Sequence, residues 1–264
     1  MIDLHTHVLP GIDDGPATVE GSISLARAAA AAGTTTLVAT PHVTWDLPDN
    51  DAPRIAAGVE ALEAELTRAG VEIALRTGGE VAVTRAHGLS EPELRGLRLG
   101  GGDWLLVECP LTAVSSGFDT ALEAVAERGH RIVLAHPERS PMLQKDADLL
   151  RRFVSSGMLT SVTAGALVGR FGSTVKRFAL WMLAEDLVHN VASDAHDATR
   201  RPPGMREGLA AADAELPGVA ERAEWLTLSV PRAILDGGPI PEAPGPVPAP
   251  RRRRGLFRRD ARQR

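Results

Sequence analysis

The chain has 264 residues, a net charge of −5 and 44% hydrophobic residues, which suits one large α/β domain with a full aliphatic core. The single cysteine, Cys109, excludes an internal disulfide and a cysteine-rich zinc module and fits a reducing cytosolic compartment. No run of about 18 apolar residues appears, and the chain opens on an apolar strand pattern rather than a leader, so a cytoplasmic location is expected.

Seven repeats of one theme follow in order: an apolar β-rich run, a polar or charged residue at its end, then a helical stretch. The first strand, Ile2 to His5, leads through His7 into the loop Gly11-Ile12-Asp13-Asp14-Gly15 and an alanine-rich helix over about 19–32. A second strand, Thr35 to Thr40, delivers Pro41-His42, and a Glu/Ala/Leu pattern predicts a helix over about 54–69. The third strand, Val71 to Arg76, ends in Gly78-Gly79-Glu80, and the fourth, Trp104 to Val107, delivers Glu108. After a helix near 118–128 the fifth strand, Arg131 to Ala135, delivers His136-Pro137-Glu138-Arg139. Helices near 146–155 and 173–185 flank a sixth strand at about 159–163, and the seventh, Val188 to Ala192, delivers Ser193-Asp194-Ala195-His196. Two further helices are expected near 205–213 and 218–225. This alternation predicts a parallel sheet with covering helices, and seven units suggest a closed or nearly closed, distorted seven-stranded (β/α)7 barrel over residues 1–236.

Placement carries the chemistry. His5, His7, His42, Glu80, Glu108, His136, Asp194 and His196 all fall at or just past C-terminal strand ends, the edge on which α/β barrels build active sites. His5 and His7, like Asp194 and His196, have the i, i+2 spacing that puts two side chains on one face of an extended chain. Imidazoles mixed with carboxylates and no thiolate favour manganese, iron or zinc in a catalytic site. There are more donors than one ion needs, so two or three ions are expected, and such clusters suit phosphoester hydrolysis. Arg139 and Arg201 lie on the same rim and can hold phosphate oxygens bidentately. A cysteine-phosphatase mechanism is excluded, because position 115, where its arginine would fall, is Ser115; Cys109 reads as a small buried hydrophobe. An amidohydrolase with a bridging modified lysine is disfavoured, since Lys145 and Lys176 end no strand. His130 and His189 read as packing or capping residues, and His87 falls outside the constellation.

Asp3-Leu4-His5-Thr6-His7, Gly11 to Gly15, Ala39 to His42, Gly79-Glu80, Glu108-Cys109-Pro110, Ala135 to Arg139, Gly169-Arg170-Phe171-Gly172 and Ser193 to His196 together resemble the polymerase and histidinol phosphatase (PHP) superfamily. Within it, the resemblance is to bacterial manganese-dependent protein tyrosine phosphatases of capsule and exopolysaccharide synthesis. It implies three metals, manganese with iron or zinc as alternatives. His5, His7, Glu80 and Asp194 would hold the first, Glu80, Glu108 and His136 the second, and Asp14, His42 and His196 the third. It further implies attack by a metal-activated hydroxide, a phosphate clamp of Arg139 and Arg201, and a substrate in the phosphotyrosine tail of a membrane-associated bacterial tyrosine kinase. Ser161 and Asp197 stand where relatives often carry glutamine and asparagine, which bears on substrate contacts rather than on metal. Rival readings are a PHP phosphoesterase for a small metabolite such as histidinol phosphate or a sugar phosphate, and a non-catalytic metal-bound scaffold. Trp45, in the loop after His42, can pack against a phosphotyrosine ring or simply anchor its loop.

From Gly237 onward the composition turns to proline and arginine, and residues 237–264 read as a linker and a basic tail without a fold of its own. Residues 243–264 carry eight arginines against one aspartate, a charge of +7, so the rest of the chain carries −12. So acidic a body does not suit a nucleic-acid enzyme. The tail can hold the protein peripherally to anionic lipid at the inner face of the membrane. Oligomeric state is not legible.

Overall fold

A computed structural model describes residues 1–112 and 117–245; Ser115 and the arginines from Arg251 onward lie outside the described residues. Among the described residues, nine parallel strand segments follow in order: β1 Ile2–Thr6, β2 Thr36–Ala39, β3 His42–Val43, β4 Ala74–Thr77, β5 Glu80–Ala82, β6 Trp104–Glu108, β7 Arg131–Ala135, β8 Leu159–Thr163 and β9 Asn190–Ala192. They pair as β1-β2-β4 and as β3-β5-β6-β7-β8-β9. Thr40-Pro41 interrupts β2/β3 and Gly78-Gly79 interrupts β4/β5, so nine segments fill seven strand positions. Pro41 offers no N–H to a ladder, which is one reason the pairing breaks there. The ring closes where β1 meets the end of β9: Thr6 bridges Ala195 in parallel, and His7 N donates to Ala195 O at 2.9 Å. The result is the distorted seven-stranded barrel that the alternation predicts.

Outside the strands lie α1 Val19–Ala31, α2 Ala52–Arg68, α3 Val83–Ala86, α4 Glu91–Gly96, α5 Phe118–Glu127, α6 Pro141–Lys145, α7 Ala147–Ser155, α8 Ala164–Leu167, α9 Ser173–Ala184, α10 Met205–Glu215 and α11 Val230–Asp236. Caps explain the starts of the longer ones: Thr18 accepts from Gly21 N, Asp51 from Arg54 N and Asp146 from Leu149 N. The helix expected near 218–225 is instead a 3₁₀ turn at Ala220–Arg222 and a π-helical turn at Trp225–Ser229. Its i→i+5 spacing escapes a 3.6-residue reading. Aliphatic residues of the strands and the inner helix faces form one core, with Trp104 and Phe118 as its largest fully buried side chains.

The chain past Asp236 does not leave the domain at once, in contrast to a tail that starts at Gly237. Trp225 Nε1 donates to Pro241 O at 3.0 Å, and the buried Arg222 guanidinium donates to Pro244 O and Gly245 O. Residues 237–245 are therefore a strap held by backbone carbonyls, which composition cannot reveal because any sequence supplies carbonyls.

Candidate metal centre

The C-terminal strand edge gathers His5, His7, Asp14, His42, Glu80, Glu108, His136, Asp194 and His196, with Arg139 and Arg201 beside Asp194. On β1, Thr6 points away from its neighbours and donates its hydroxyl to Val38 O at 2.7 Å, so His5 and His7 face inward together. Their Nε2 atoms are 3.3 Å apart. Glu80 Oε2 lies 3.3 Å from His5 Nε2 and 3.4 Å from His7 Nε2, and Asp194 Oδ1 lies 3.6 and 3.4 Å from the same two nitrogens. Two donors on one ion, each ~2.1 Å from it at near-tetrahedral or right angles, sit roughly 3.0–3.4 Å from each other. His5, His7 and Glu80 are spaced as ligands of one cation, and Asp194 Oδ1 flanks the two imidazoles.

Two further groupings adjoin it. His7, Asp14, His42 and His196 offer atoms within 4.8 Å of one another, as do His42, Glu80 and Glu108. His196 Nε2 is 3.0 Å from Asp14 Oδ1, and His42 Nε2 is 3.5 Å from it. His136 Nε2 is hydrogen-bonded to Glu80 Oε1 at 2.7 Å and lies 3.9 Å from Glu108 Oε1. His42 thus touches Glu80 as well as Asp14, an overlap that strand order alone does not give.

The donor set is suited to cations by its tautomers and its orphans. His7 Nδ1 donates to Asp13 Oδ2 at 2.7 Å, and His196 Nδ1 donates to Asp194 O at 3.0 Å, which leaves each Nε2 a bare lone pair aimed into the cluster. Glu80 Oε2, His42 Nδ1, His136 Nδ1 and His196 Nε2 are buried without a hydrogen bond. His42 Nδ1 lies 3.0 Å from Glu80 Oε2 and His196 Nε2 3.0 Å from Asp14 Oδ1, and polar atoms crowded here without aligned hydrogen bonds are costly if nothing meets them.

Charge coupling agrees. Burial disfavours the Asp194 carboxylate, yet His5 and His7 beside it hold its pKa well below the usual range. Burial works against the charged His7 as well, but Asp13 raises its pKa well above normal. Glu108 is pushed up by burial and by the Glu80 charge. Backbone strain collects here too: His136 and Asp194 have φ of 34° and 51°, and Asp186 is the other described non-glycine residue with positive φ. Such conformations cost on the order of 1–3 kcal/mol each and persist where the surroundings over-determine them.

Asp13 is the residue that strand-end counting overlooks. Besides His7 it accepts from His42 N at 3.0 Å and Gly15 N at 3.0 Å, so one carboxylate sets two imidazole-bearing segments. The doubled Asp13-Asp14 was the available signal. Gly15 is required by space, since a Cβ there would lie 2.3 Å from His7 O. Asn50 is likewise missed; its Nδ2 ties His42 O to Ile12 O. Asp3 accepts from His5 N and Ser193 N, and burial pushes its pKa up to about 6 despite the Ser193 hydrogen bonds. Arg139 and Arg201 both donate to Asp194 Oδ2, at 3.0 and 2.9 Å, from the solvent side of the cluster.

Elsewhere, Ser161 turns its hydroxyl to Asn190 Oδ1, and Asp197 Oδ1 accepts from Thr199 N. Cys109 is buried and its pKa is raised well above normal by that burial. His130 pairs with Glu91 at 3.1 Å. Trp45 is 58% exposed, with the Arg85 guanidinium carbon 4.6 Å from its ring centroid.

A parallel β/α barrel with such a donor cluster on its C-terminal edge has the architecture of a metal-dependent hydrolase. Residues 1–235 match the capsular polysaccharide synthesis family CpsB/CapC, and the chain belongs to that family. It is 32% identical over 212 residues to the tyrosine-protein phosphatase YwqE of Bacillus subtilis, covering 79% of this chain and 82% of the relative. It is 31% identical over 206 residues to the putative tyrosine-protein phosphatase CapC of Staphylococcus aureus, covering 76% and 79%. A crystal structure from a study of YwqE and of CpsB from Streptococcus pneumoniae, described as unique metal-dependent tyrosine phosphatases, superposes with a TM-score of 0.80 at 28% identity, covering 94% of this chain and all of that one.

Proposed function

We propose that the protein is a metal-dependent protein tyrosine phosphatase that hydrolyses phosphotyrosine on a bacterial tyrosine kinase controlling capsule or exopolysaccharide synthesis. The observation that carries this reading is the convergence of His5, His7 and Glu80 at ligand–ligand spacing, with Asp194 Oδ1 beside both imidazoles. His5, His7, Glu80 and Asp194 would hold one ion, Glu80, Glu108 and His136 a second, and Asp14, His42 and His196 a third. Manganese is the proposed metal, since imidazole and carboxylate without thiolate suit it. The ions, when bound, supply Lewis acidity and lower the pKa of a water so that it is a nucleophile near neutrality.

The chain's own residues do the rest. Asp13 holds the His7 ring in the tautomer that presents Nε2. Arg139 and Arg201 hold phosphoryl oxygens, and Asp194 keeps both guanidinium groups at the mouth of the cluster. No side-chain nucleophile is needed; Cys109 is buried and its thiol is held protonated.

No helix among the described residues is long and apolar enough to cross a membrane. We propose a cytoplasmic protein held peripherally to anionic lipid by the arginine-rich tail, beside a membrane-associated kinase. Metal-stripped protein should regain hydrolysis of a phosphotyrosine peptide when Mn²⁺ is returned, and His136→Ala should lose at least about 10²-fold in kcat/KM. Turnover of small phosphate esters alone would move the assignment to a metabolite phosphoesterase, and silence on both substrates to a scaffold.

A further inference from the structure

The two arginines at the mouth of the cluster share a support on their outer side. Residues 169–172, Gly-Arg-Phe-Gly, form the turn between α8 and α9. Half-buried Phe171 lies against Arg139, whose guanidinium carbon is 4.5 Å from the ring centroid. The preceding residue, Arg170, donates through Nη1 to the carbonyl of Arg200, the residue next to Arg201. Arg201 O in turn accepts from His196 N at 3.0 Å. One four-residue turn therefore touches Arg139 directly and the Arg201 segment through its backbone.

The turn itself is seated closely. A Cβ at Gly165 would lie 3.2 Å from Phe171 Cε2 and 3.5 Å from Arg170 Cδ, so a side chain there would push on both. A small crevice bounded by Gly165, Arg170, Phe171, Asp194, Arg201 and Pro202 separates the turn from the cluster. Asp194 Oδ2 faces both guanidinium groups from within. An arginine held only from that side keeps much of its rotamer freedom. An aromatic face on the other side removes part of that freedom in advance, so less is lost when phosphate is bound.

We propose that Phe171 is a positioning residue that presets Arg139 for phosphate and that the Gly169–Gly172 turn holds the two arginines in register. This inference rests on the phosphatase reading and on Arg139 as a phosphate ligand. In this scheme the effect of the turn reaches substrate through the arginines.

The test is a double-mutant cycle on the manganese-loaded full chain, read as the dissociation constant of inorganic phosphate by calorimetry and as the kcat and KM for p-nitrophenyl phosphate. Phe171→Leu should weaken phosphate about three- to tenfold and raise KM by a similar factor with kcat changed less. Phe171→Trp, which keeps an aromatic face, should stay within about twofold of the parent. In an Arg139→Ala background, Phe171→Leu should have no further effect on phosphate. Phe171→Met is measured alongside, so that poor folding of one variant does not end the test. Equal weakening by Phe171→Leu with and without Arg139 would overturn the proposal, because Phe171 would then act through the fold at large. So would a phosphate affinity unmoved by Phe171→Leu and Phe171→Met but weakened by Arg139→Ala. If Arg139→Ala alone leaves phosphate binding unchanged, Arg139 is no phosphate ligand, and the clamp reading falls together with this one.

Discussion

Asp13 accepts hydrogen bonds from His7 Nδ1, His42 N and Gly15 N, and one side chain therefore fixes the direction of two donors on different loops. Carboxylates behind a metal-binding imidazole are typically worth 10–100-fold in metal affinity. Asp13→Asn keeps the shape but trades the charge that raises the His7 pKa, and should weaken manganese binding by about that factor in a competition titration. A variant whose affinity is unchanged would show that Asp13 only braces the loop. At this scale the sequence was informative about donors and silent about their supports. His5, His7, Asp194 and His196 announce themselves by i, i+2 spacing at strand ends. Asp13 and Phe171 stand in motifs that the sequence displays, but what they touch, like the ties made by Asn50, is set by contacts between loops and not by local pattern.

Elements were legible where the hydrophobic period was long and regular. The alanine-rich α1 and the amphipathic α2 fall within two residues of the expected spans, because cap residues Thr18 and Asp51 mark their starts. The short helices α3, α6 and α8 were not, since four or five residues carry too little period to read. Packing between α8 and α10 shows what such a short element needs. A Cβ on Gly208 would lie 2.9 Å from the Cα, Cβ and O of Ala164, so the two helices touch backbone to backbone. Gly208→Ala should cost about 1–3 kcal/mol by overpacking, seen as a lower urea midpoint with an unchanged slope.

Just before β9, His189 Nδ1 accepts from Thr160 N at 3.2 Å and its pKa is depressed to about 4 by burial. An unfolded histidine titrates near ~6.5, so on acidification the unfolded chain takes up this proton first. The stability tied to the neutral ring is complete above pH ~6.5 and is lost as pH falls from there toward ~4, with on the order of 1–2 kcal/mol gone at pH ~5. His189→Asn, which keeps an acceptor for Thr160 N, should therefore lose less unfolding free energy than the parent between pH ~7 and ~5 by that amount, measured by denaturant titration at both values.

Charge is segregated across the whole molecule: +7 on residues 243–264 and −12 on the rest. The strap sets where the two parts meet. Arg222, paired with Asp186 and bonded to Pro244 O and Gly245 O, pins the chain six residues short of Arg251. Six residues span at most roughly 20 Å of chain. The anchor sits beside Trp225, whose ring is 6.3 Å from that of His189 at the N-terminal edge of the barrel. The proposed metal centre lies on the opposite, C-terminal edge. A basic segment tethered at the far end from the catalytic mouth can meet a lipid surface without covering it. Each arginine near an anionic surface adds on the order of 1 kcal/mol, weakened as salt shortens the Debye length. The full chain should therefore bind vesicles containing anionic phospholipid in a salt-sensitive way and ignore neutral ones, and a chain truncated after Gly245 should lose that binding. Turnover of a soluble phosphotyrosine peptide should be unchanged by the vesicles, because the strap ends near the edge opposite the mouth. Equal vesicle binding by the truncated chain would remove the tail from this role, and inhibition by vesicles would mean that the membrane meets the catalytic edge instead.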